Sequence, residues 1–306
     1  MNKHILIIYH KNCTDGFGAA WVLYDYFCNH NHGTYESISF MEADYGNKPP
    51  EVDNMDVYIV DFSYNRETLV EMSKKARSLT IIDHHKTAEE ELRGLNGFKN
   101  IKTVFSMKKS GAMLSWEYFY GCKEPPHLLR LIQDRDLWKL EYENTKPALA
   151  ALRSRPFDFE QWTTFMNNER AVKDVLVSEG YIIQRAETAL IKELINNHED
   201  NRWIELPLEI PTVTKIPILN CPGQFASEAG HLLCEKYKDA KFSMTYYDDI
   251  KAMKRVFSLR SNADNPKSWD VSKIAELFDG GGHKHSAGFK QSLPCAITLE
   301  YESKIL

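Results

Sequence analysis

The sequence predicts an α/β fold: a parallel sheet with helices on both faces, followed by a helical connector and a smaller α/β domain. Three observations carry that expectation. Short apolar runs (HILIIYH, 4–10; VYIVDF, 57–62; LTIIDHH, 79–85) alternate with stretches of helical periodicity, the order from which parallel sheets are built. The chain has 306 residues, 43% of them hydrophobic, enough for one large or two medium domains. Near residue 206 the composition shifts, because LPLEIPTVTKIPILNCPG (206–223) is rich in proline and β-branched residues.

Each element follows from its local pattern. After the first run a turn at Asp15-Gly16 leads into a helix, whose Phe17, Ala20, Trp21, Tyr24, Phe27 and Cys28 recur at steps that share one face. RETLVEMSKKARS (66–78) reads as the next helix, with Ser63 or Asn65 as its cap. Ser110-Gly111 opens another (SGAMLSWEYFYG), and LLRLIQDRDLW (128–138) is helical at least to Asp134. Residues 159 to about 200 are mostly helical and charged. Residues 1–200 therefore form the first domain with its connector, and 206–306 the second. There SEAGHLLCEKY and DVSKIAELF read as helices, AKFSMTYYDD and KRVFSLRS as strands, and GGGHKHSAGF closes the unit.

Composition narrows the function classes. No run of 18 apolar residues predicts a membrane span, and the apolar stretch at the N-terminus is too short for a signal peptide. The six cysteines (Cys13, Cys28, Cys122, Cys221, Cys234, Cys295) form no CxxC pair, which points to reduced thiols and a cytoplasmic protein. With a net charge of −5 there is no global positive field to gather long nucleic acid. That charge leaves room for an anionic ligand only if it is small enough for a pocket to neutralise.

In open parallel sheets ligands bind beyond the carboxyl ends of the strands, and the acids of this chain fall there repeatedly. His10 ends the first run and Asp15 follows it. Asp61 ends the second, and Asp83, His84 and His85 end the third. Asp134 and Asp136 lie at a helix end. Taken singly, an aspartate after a strand is most often a cap or turn former. Taken together, the group is hard to explain that way. Two carboxylates ~4 Å apart repel by roughly 4 kcal/mol at an effective dielectric near 20, so four converging aspartates need cations. Oxygen ligands with imidazoles suit Mn²⁺ or a similar divalent ion.

At this point the residues resemble a family. DHH at 83–85, the earlier YHKNCTDG (9–16) and YIVDFS (58–63), the later QDRDLW (133–138) and the terminal GGGHKHSAGF (280–289) together resemble the DHH/DHHA1 phosphoesterases, in the family's order and over nearly the whole chain. The resemblance is to the compact branch, which includes short-oligonucleotide hydrolases, 3′,5′-bisphosphate phosphatases and hydrolases of linear diguanylate (pGpG). It implies a two-ion site, with Mn²⁺ expected and Mg²⁺ or Co²⁺ left open. Asp61 would bridge the ions, Asp15, His84 and Asp134 would complete one position, and His10 would serve the other. Asp136 stays an alternative to Asp134. Asp83 would orient the histidines, and His85 would contact the scissile phosphate or protonate the leaving oxygen.

One departure stands out. The family usually has aspartates two residues apart in its first motif, whereas here Cys13 stands before Asp15. Either Cys13 supplies a thiolate or the first position is weaker. A thiol beside carboxylates ionises reluctantly, which favours the weaker position.

The second domain is expected to hold the rest of the substrate. Gly280, Gly281 and Gly282 would let backbone N–H groups approach an anion, Arg260 would grip a terminal phosphate, and His283 and His285 would add contacts. Trp138, Trp269, Phe257 or Phe289 would give a base-stacking surface, and Lys86, Lys108 and Lys109 would supply rim charge. The substrate expected is a short oligonucleotide or dinucleotide in a cleft between the domains, with no long nucleic acid and no membrane; the alternatives are a phosphatase of 3′,5′-bisphosphate nucleotides or an exopolyphosphatase, and after them a non-catalytic nucleotide-binding sensor. A homodimer is left open.

Overall fold

Sequence alternation and burial agree along the first strand. In β1 (His4–His10) Ile5 and Ile7 join one buried cluster while Leu6 and Ile8 join another, so neither face of the strand meets water. The computed structural model describes residues 3–30, 35–44, 46–198, 200–206 and 212–293. Cys295 and residues 207–211 of the expected 206–223 segment lie outside them; the other five cysteines are free thiols.

The chain divides into two compact units, Met1–Arg185 and Ala186–Leu306. The first holds five strands, β1, β2 (Ser37–Ala43), β3 (Asp56–Val60), β4 (Ser78–Asp83) and β5 (Ile101–Phe105). Their order is β2-β1-β3-β4-β5 and every pairing is parallel. The sequence had shown the three central strands. The outer two were missed: β2 (SISFMEA) is mostly exposed or half-exposed, and β5 (IKTVF) begins with only one buried residue.

Helices cover both faces. One cluster packs α1 (Thr14–Tyr24) under the sheet with several later helices, and the other packs Leu69 and Met72 of α2 (Arg66–Lys75) on the opposite face. Asn65 caps α2, accepting from Thr68 N at 2.9 Å, which leaves Ser63 for another use. A short α3 (Lys86–Glu91) follows β4; α4 (Gly111–Tyr120), α5 (His127–Asp136) and α6 (Thr145–Arg153) complete the layer. The expected helix 66–78 ends three residues early, whereas α5 runs past Asp134 to Asp136, in keeping with the expectation that it is helical at least to Asp134. The expected strands 57–62 and 79–85 stop before Asp61 and His84, whose side chains therefore leave the sheet edge.

The second unit is a six-stranded sheet of β6 (Asp200–Leu206), β7 (Thr212–Asn220), β8 (Ser243–Asp249), β9 (Lys254–Arg260), β10 (Gly281–His283) and β11 (Ser286–Ser292). The order is β10-β11-β9-β8-β7-β6, antiparallel except for β7–β8. That single parallel step is bridged by the helix Ala226–Lys236, as a parallel crossover requires. Phe257, Phe289 and Ile274 pack one face; Leu233, Phe225 and Ile195 pack the other.

Candidate metal centre

A strand order of 2-1-3-4-5 places its topological switch point between β1 and β3, where the chain leaves the sheet in opposite directions and opens a crevice. Three loops feed that crevice. After β1, Asn12 takes a left-handed φ of 52°, which asparagine tolerates, and Cys13 becomes the residue before α1. Gly16 lets α1 press against the strand end, because a Cβ there would lie 2.5 Å from His10 O and 2.7 Å from His10 Cβ. After β3, Asp61 turns with a φ of 53° while its N–H donates to Ile82 O at 2.9 Å. After β4 come His84 and His85.

These loops gather charge out of water. Asp15, Asp61 and His84 are each 1% exposed and Asp83 is fully buried. His84 Nε2 stands 3.0 Å from Asp61 Oδ1, 3.5 Å from Asp136 Oδ2 and 3.6 Å from Asp15 Oδ2. Three carboxylates thus surround one nitrogen, a position where positive charge is stabilised. Asp15 also accepts from the amides that open α4, Gly111 N at 2.5 Å and Ala112 N at 3.1 Å, which suits an anion at a helix N-terminus. On its other side Asp61 Oδ2 faces His10 Nδ1 at 3.5 Å.

Asp83 organises the histidines. Its Oδ1 accepts from His84 N at 2.7 Å and pairs with His85 Nδ1 at 2.7 Å, while Ser63 Oγ donates to Oδ2 at 2.6 Å. Burial alone would raise its carboxyl, but the charge and hydrogen bond of His85, with help from His84, bring it down to about 2. The other groups show the strain of the gathered charge. Burial, then Asp61 and Asp136, push Asp15 well above the carboxylate range. Asp136 is raised too, first by burial. Burial opposes charge on His84, yet Asp136, Asp61 and Asp15 raise its imidazole well above the usual value. Asp61 takes the opposite course: His10 and His84 overcome burial and hold it well below. Burial, then Asp61, Asp15 and Asp136, push the Cys13 thiol well up.

The donor set fits divalent cations. Asp15, His84 and Asp136 present ligand atoms within 4.8 Å of one another, as do His10, Cys13 and Asp61, and also Asp61, Asp83 and His85. Asp61 Oδ2 and Asp136 Oδ2 are buried atoms that accept no hydrogen bond. A buried carboxylate oxygen left that way is costly, and a bound cation removes the cost. Oxygen and imidazole donors in this mixture suit Mn²⁺ and its neighbours.

Asp134 requires a correction. Its carboxylate turns to the loop after α5, accepting from Glu141 N at 2.9 Å, Tyr142 N at 3.2 Å and the Thr145 hydroxyl. Two residues on, Asp136 reaches His84 instead. Neighbours two apart on a helix point about 200° away from each other, so the cluster can take one of them and the loop takes the other. Asp136, held above as the alternative, lines the centre.

Gly111 is the residue that sequence reasoning passed over. A Cβ there would lie 2.6–2.9 Å from Asp61 Cβ, Oδ1 and Cα, so only glycine lets α4 close on the cluster. The signal was present as Ser110-Gly111, read simply as a helix start. Ser63, weighed as a cap, instead anchors Asp83.

In the second unit, Arg260 ends β9 with Nη1 donating to Leu259 O at 2.8 Å, and its stem packs where a Cβ on Gly230 would meet Cγ at 2.7 Å. Gly281, Gly282 and His283 pair with Gly288, Ala287 and Ser286 as a hairpin strand. Gly280 N donates to Ala275 O at 2.9 Å, and a Cβ on Gly280 would lie 2.3 Å from Gly288 O; Gly282 has a φ of 139°. Packing and backbone geometry account for both of these glycines. His285 bonds Ser261 at 2.9 Å. Phe257 and Phe289 stack on each other at 4.6 Å in the core, so neither offers the expected surface for a base. Trp269 is half-buried against Phe242, and Trp138 lies beneath the Arg135 guanidinium at 4.1 Å. Of the rim lysines, Lys109 pairs with Glu117 and Lys86 with Glu90.

No protein-family model matches the chain. Uncharacterized protein R106 of Acanthamoeba polyphaga mimivirus is 28% identical over 300 residues, covering 92% of this chain and 66% of that protein. The chain thus spans slightly under two thirds of that relative's length. Solved structures similar to it include a pGpG-specific phosphodiesterase, PggH, from Vibrio cholerae (14% identity, 95% and 94% of the two chains, TM-score 0.48). Another is an exopolyphosphatase-related protein from Bacteroides fragilis (16%, 94% and 86%, TM-score 0.44). Among the described residues no helix is long and apolar enough to cross a membrane.

Proposed function

We propose that the chain is a metal-dependent phosphodiesterase of the DHH/DHHA1 type that hydrolyses very short oligonucleotides and linear dinucleotides such as pGpG to mononucleotides. One observation carries the reading: three carboxylates ring His84 Nε2 at 3.0–3.6 Å at the switch point of a parallel sheet. The ordered DHH-type motifs supply the reaction class. Asp15, Asp61, His84 and Asp136 would hold one cation, and His10 with Asp61 would contribute to a second. Divalent ions there supply Lewis acidity toward a phosphoryl group and lower the pKa of water.

The rest falls to the protein. Asp83, kept ionised by its partners, fixes His85 through Nδ1, so the proton His85 delivers to the leaving oxygen rides on Nε2. Ser63 and the two backbone amides fix Asp83 in turn. Trp138, with its overlying Arg135, gives a nucleobase an aromatic face close to Asp136 in sequence. In the second unit Arg260 and the Gly280–His283 segment recognise a terminal phosphate.

The test is direct. Incubate the purified chain and Mn²⁺ with labelled pGpG, a 3′,5′-bisphosphate nucleotide and polyphosphate in parallel. Mononucleotide from pGpG is the expected product. Inorganic phosphate from either rival, with pGpG left intact, overturns the assignment.

A further inference from the structure

We propose that His10, Cys13 and Asp61 form a nitrogen–thiolate–carboxylate site that selects a borderline-soft divalent ion such as Zn²⁺ or Co²⁺. The harder position lined by Asp15, His84 and Asp136 keeps Mn²⁺ or Mg²⁺, so the centre is mixed. This deepens the metal-dependent reading above and rests on it.

Four observations support the site. One ring nitrogen of His10, the Cys13 sulfur and an Asp61 oxygen lie within 4.8 Å of one another, close enough for one cation to bind all three. Asp61 Oδ2 is buried, accepts no hydrogen bond, and has His10 Nδ1 at 3.5 Å, beyond good hydrogen-bond geometry. Cys13 occupies the N-cap position of α1 without making a side-chain cap bond, although serine, threonine, asparagine or aspartate would serve better there. The backbone also delivers the sulfur to this point, through the left-handed Asn12 and the close approach of Gly16 to His10. Capping therefore does not explain a cysteine here, whereas coordination does.

Carboxylate neighbours keep a thiol protonated only while no cation is present; a coordinating thiol is deprotonated outright. On binding, the S–H proton passes to bulk water as the sulfur–metal bond forms. Thiolate selects Zn²⁺ and Co²⁺ over Mn²⁺, whereas the three-carboxylate position has no sulfur and no such preference.

Cobalt titration of the metal-free full-length chain, followed by absorption, tests the site. A sulfur-to-cobalt charge-transfer band should rise and saturate in the wild type. It should persist in Asp136→Asn and vanish in Cys13→Ser, with half-saturating Zn²⁺ for Cys13→Ser raised at least the ~10–100-fold that loss of an outer-shell partner costs. No band in the wild type, or a band that survives in Cys13→Ser, overturns the proposal. If Cys13→Ser fails to fold, the wild type still decides. Zn²⁺ should protect Cys13 from alkylation, mapped by mass spectrometry against exposed Cys122; equal labelling with and without Zn²⁺ overturns it. pGpG hydrolysis with Mn²⁺ on the same preparation separates the two readings. Activity without the band removes the thiolate site alone, and the band without activity removes the phosphodiesterase reading alone.

Discussion

The two sheets of this chain bury polarity in different ways. Among the described residues, every buried aspartate and histidine (Asp15, Asp25, Asp61, Asp83, His84, Asp134) belongs to the first unit, while the buried polar side chains of the second are four hydroxyls (Ser243, Thr245, Ser261, Ser272). Two of these hydroxyls bond close by: Ser243 donates to Gly230 O at 2.7 Å and Ser272 to Asp270 at 2.5 Å. Carboxylates gathered around one imidazole cannot do the same without a cation. The glycines differ as well. Gly111 makes room for the buried carboxylate of Asp61, whereas Gly280 makes room for a neighbouring strand. Buried charge that packing alone does not neutralise is the mark of a chemical site.

The sharpest way to break this contrast is His84→Ala. With saturating Mn²⁺ its turnover should fall below about a tenth of wild type, because it removes the imidazole at the centre of the charge cluster and with it a proposed ligand. Far-UV circular dichroism should stay native. Higher residual turnover would remove the metal-centre assignment.

Arg260→Ala acts in the second unit and should raise the KM for a dinucleotide with a terminal phosphate by the roughly 1.5–3 kcal/mol of a charge-assisted hydrogen bond, leaving kcat nearly unchanged. An unaltered KM takes Arg260 out of substrate recognition.

A pair of glycine variants sharpens the comparison. Gly111→Ala and Gly280→Ala should each cost about 1–3 kcal/mol by overpacking, read from denaturant unfolding in EDTA. Only Gly111→Ala should also weaken Mn²⁺ binding by calorimetry. Equal metal affinity in the two would mean that Asp61 is no ligand.

Asp134→Asn and Asp136→Asn then separate structure from chemistry within α5. The first should destabilise by about 1–3 kcal/mol, since it disturbs a buried acceptor of three hydrogen bonds, and should leave metal affinity near wild type. The second should weaken metal binding with little loss of stability.

The smallest effect is on pH. With its imidazole raised, His84 stabilises the metal-free fold fully below the unfolded value near 6.5, and loses that contribution as pH rises through the folded value. Asp15, raised as well, costs stability over the range where the unfolded chain ionises and the folded one does not. Melting temperature in EDTA should therefore fall as pH rises above about 7, and saturating Mn²⁺ should flatten the decline. A melting temperature that rises with pH in EDTA would contradict the charge cluster.

Much of this was legible beforehand, and the failures have identifiable causes. Three central strands declared themselves because both of their faces are buried, so nearly every residue is apolar. β2 and β5 lie at the sheet edges, where that pressure lapses. Phe257 and Phe289 were misread because an aromatic in a short alternating strand looks the same whether its face meets solvent or a helix. The pairing of Gly281 and Gly282 with Gly288 and Ala287 in a hairpin is not visible in a run of glycines.

The sequence by itself determined the α/β class, the central strands, and the acids and imidazoles that gather where those strands end. Periodicity and the desolvation cost of unpaired charge act locally enough to be read along a chain. Tertiary structure alone decided which of Asp134 and Asp136 meets His84, why Gly111 must lack a side chain, and that Cys13 stands beside His10 and Asp61. Each depends on residues distant in sequence: the loop at 141–145 that claims Asp134, and the α4 N-terminus that closes on Asp61 from fifty residues away. Local pattern specifies what a residue can do; long-range packing selects the partner with which it does it.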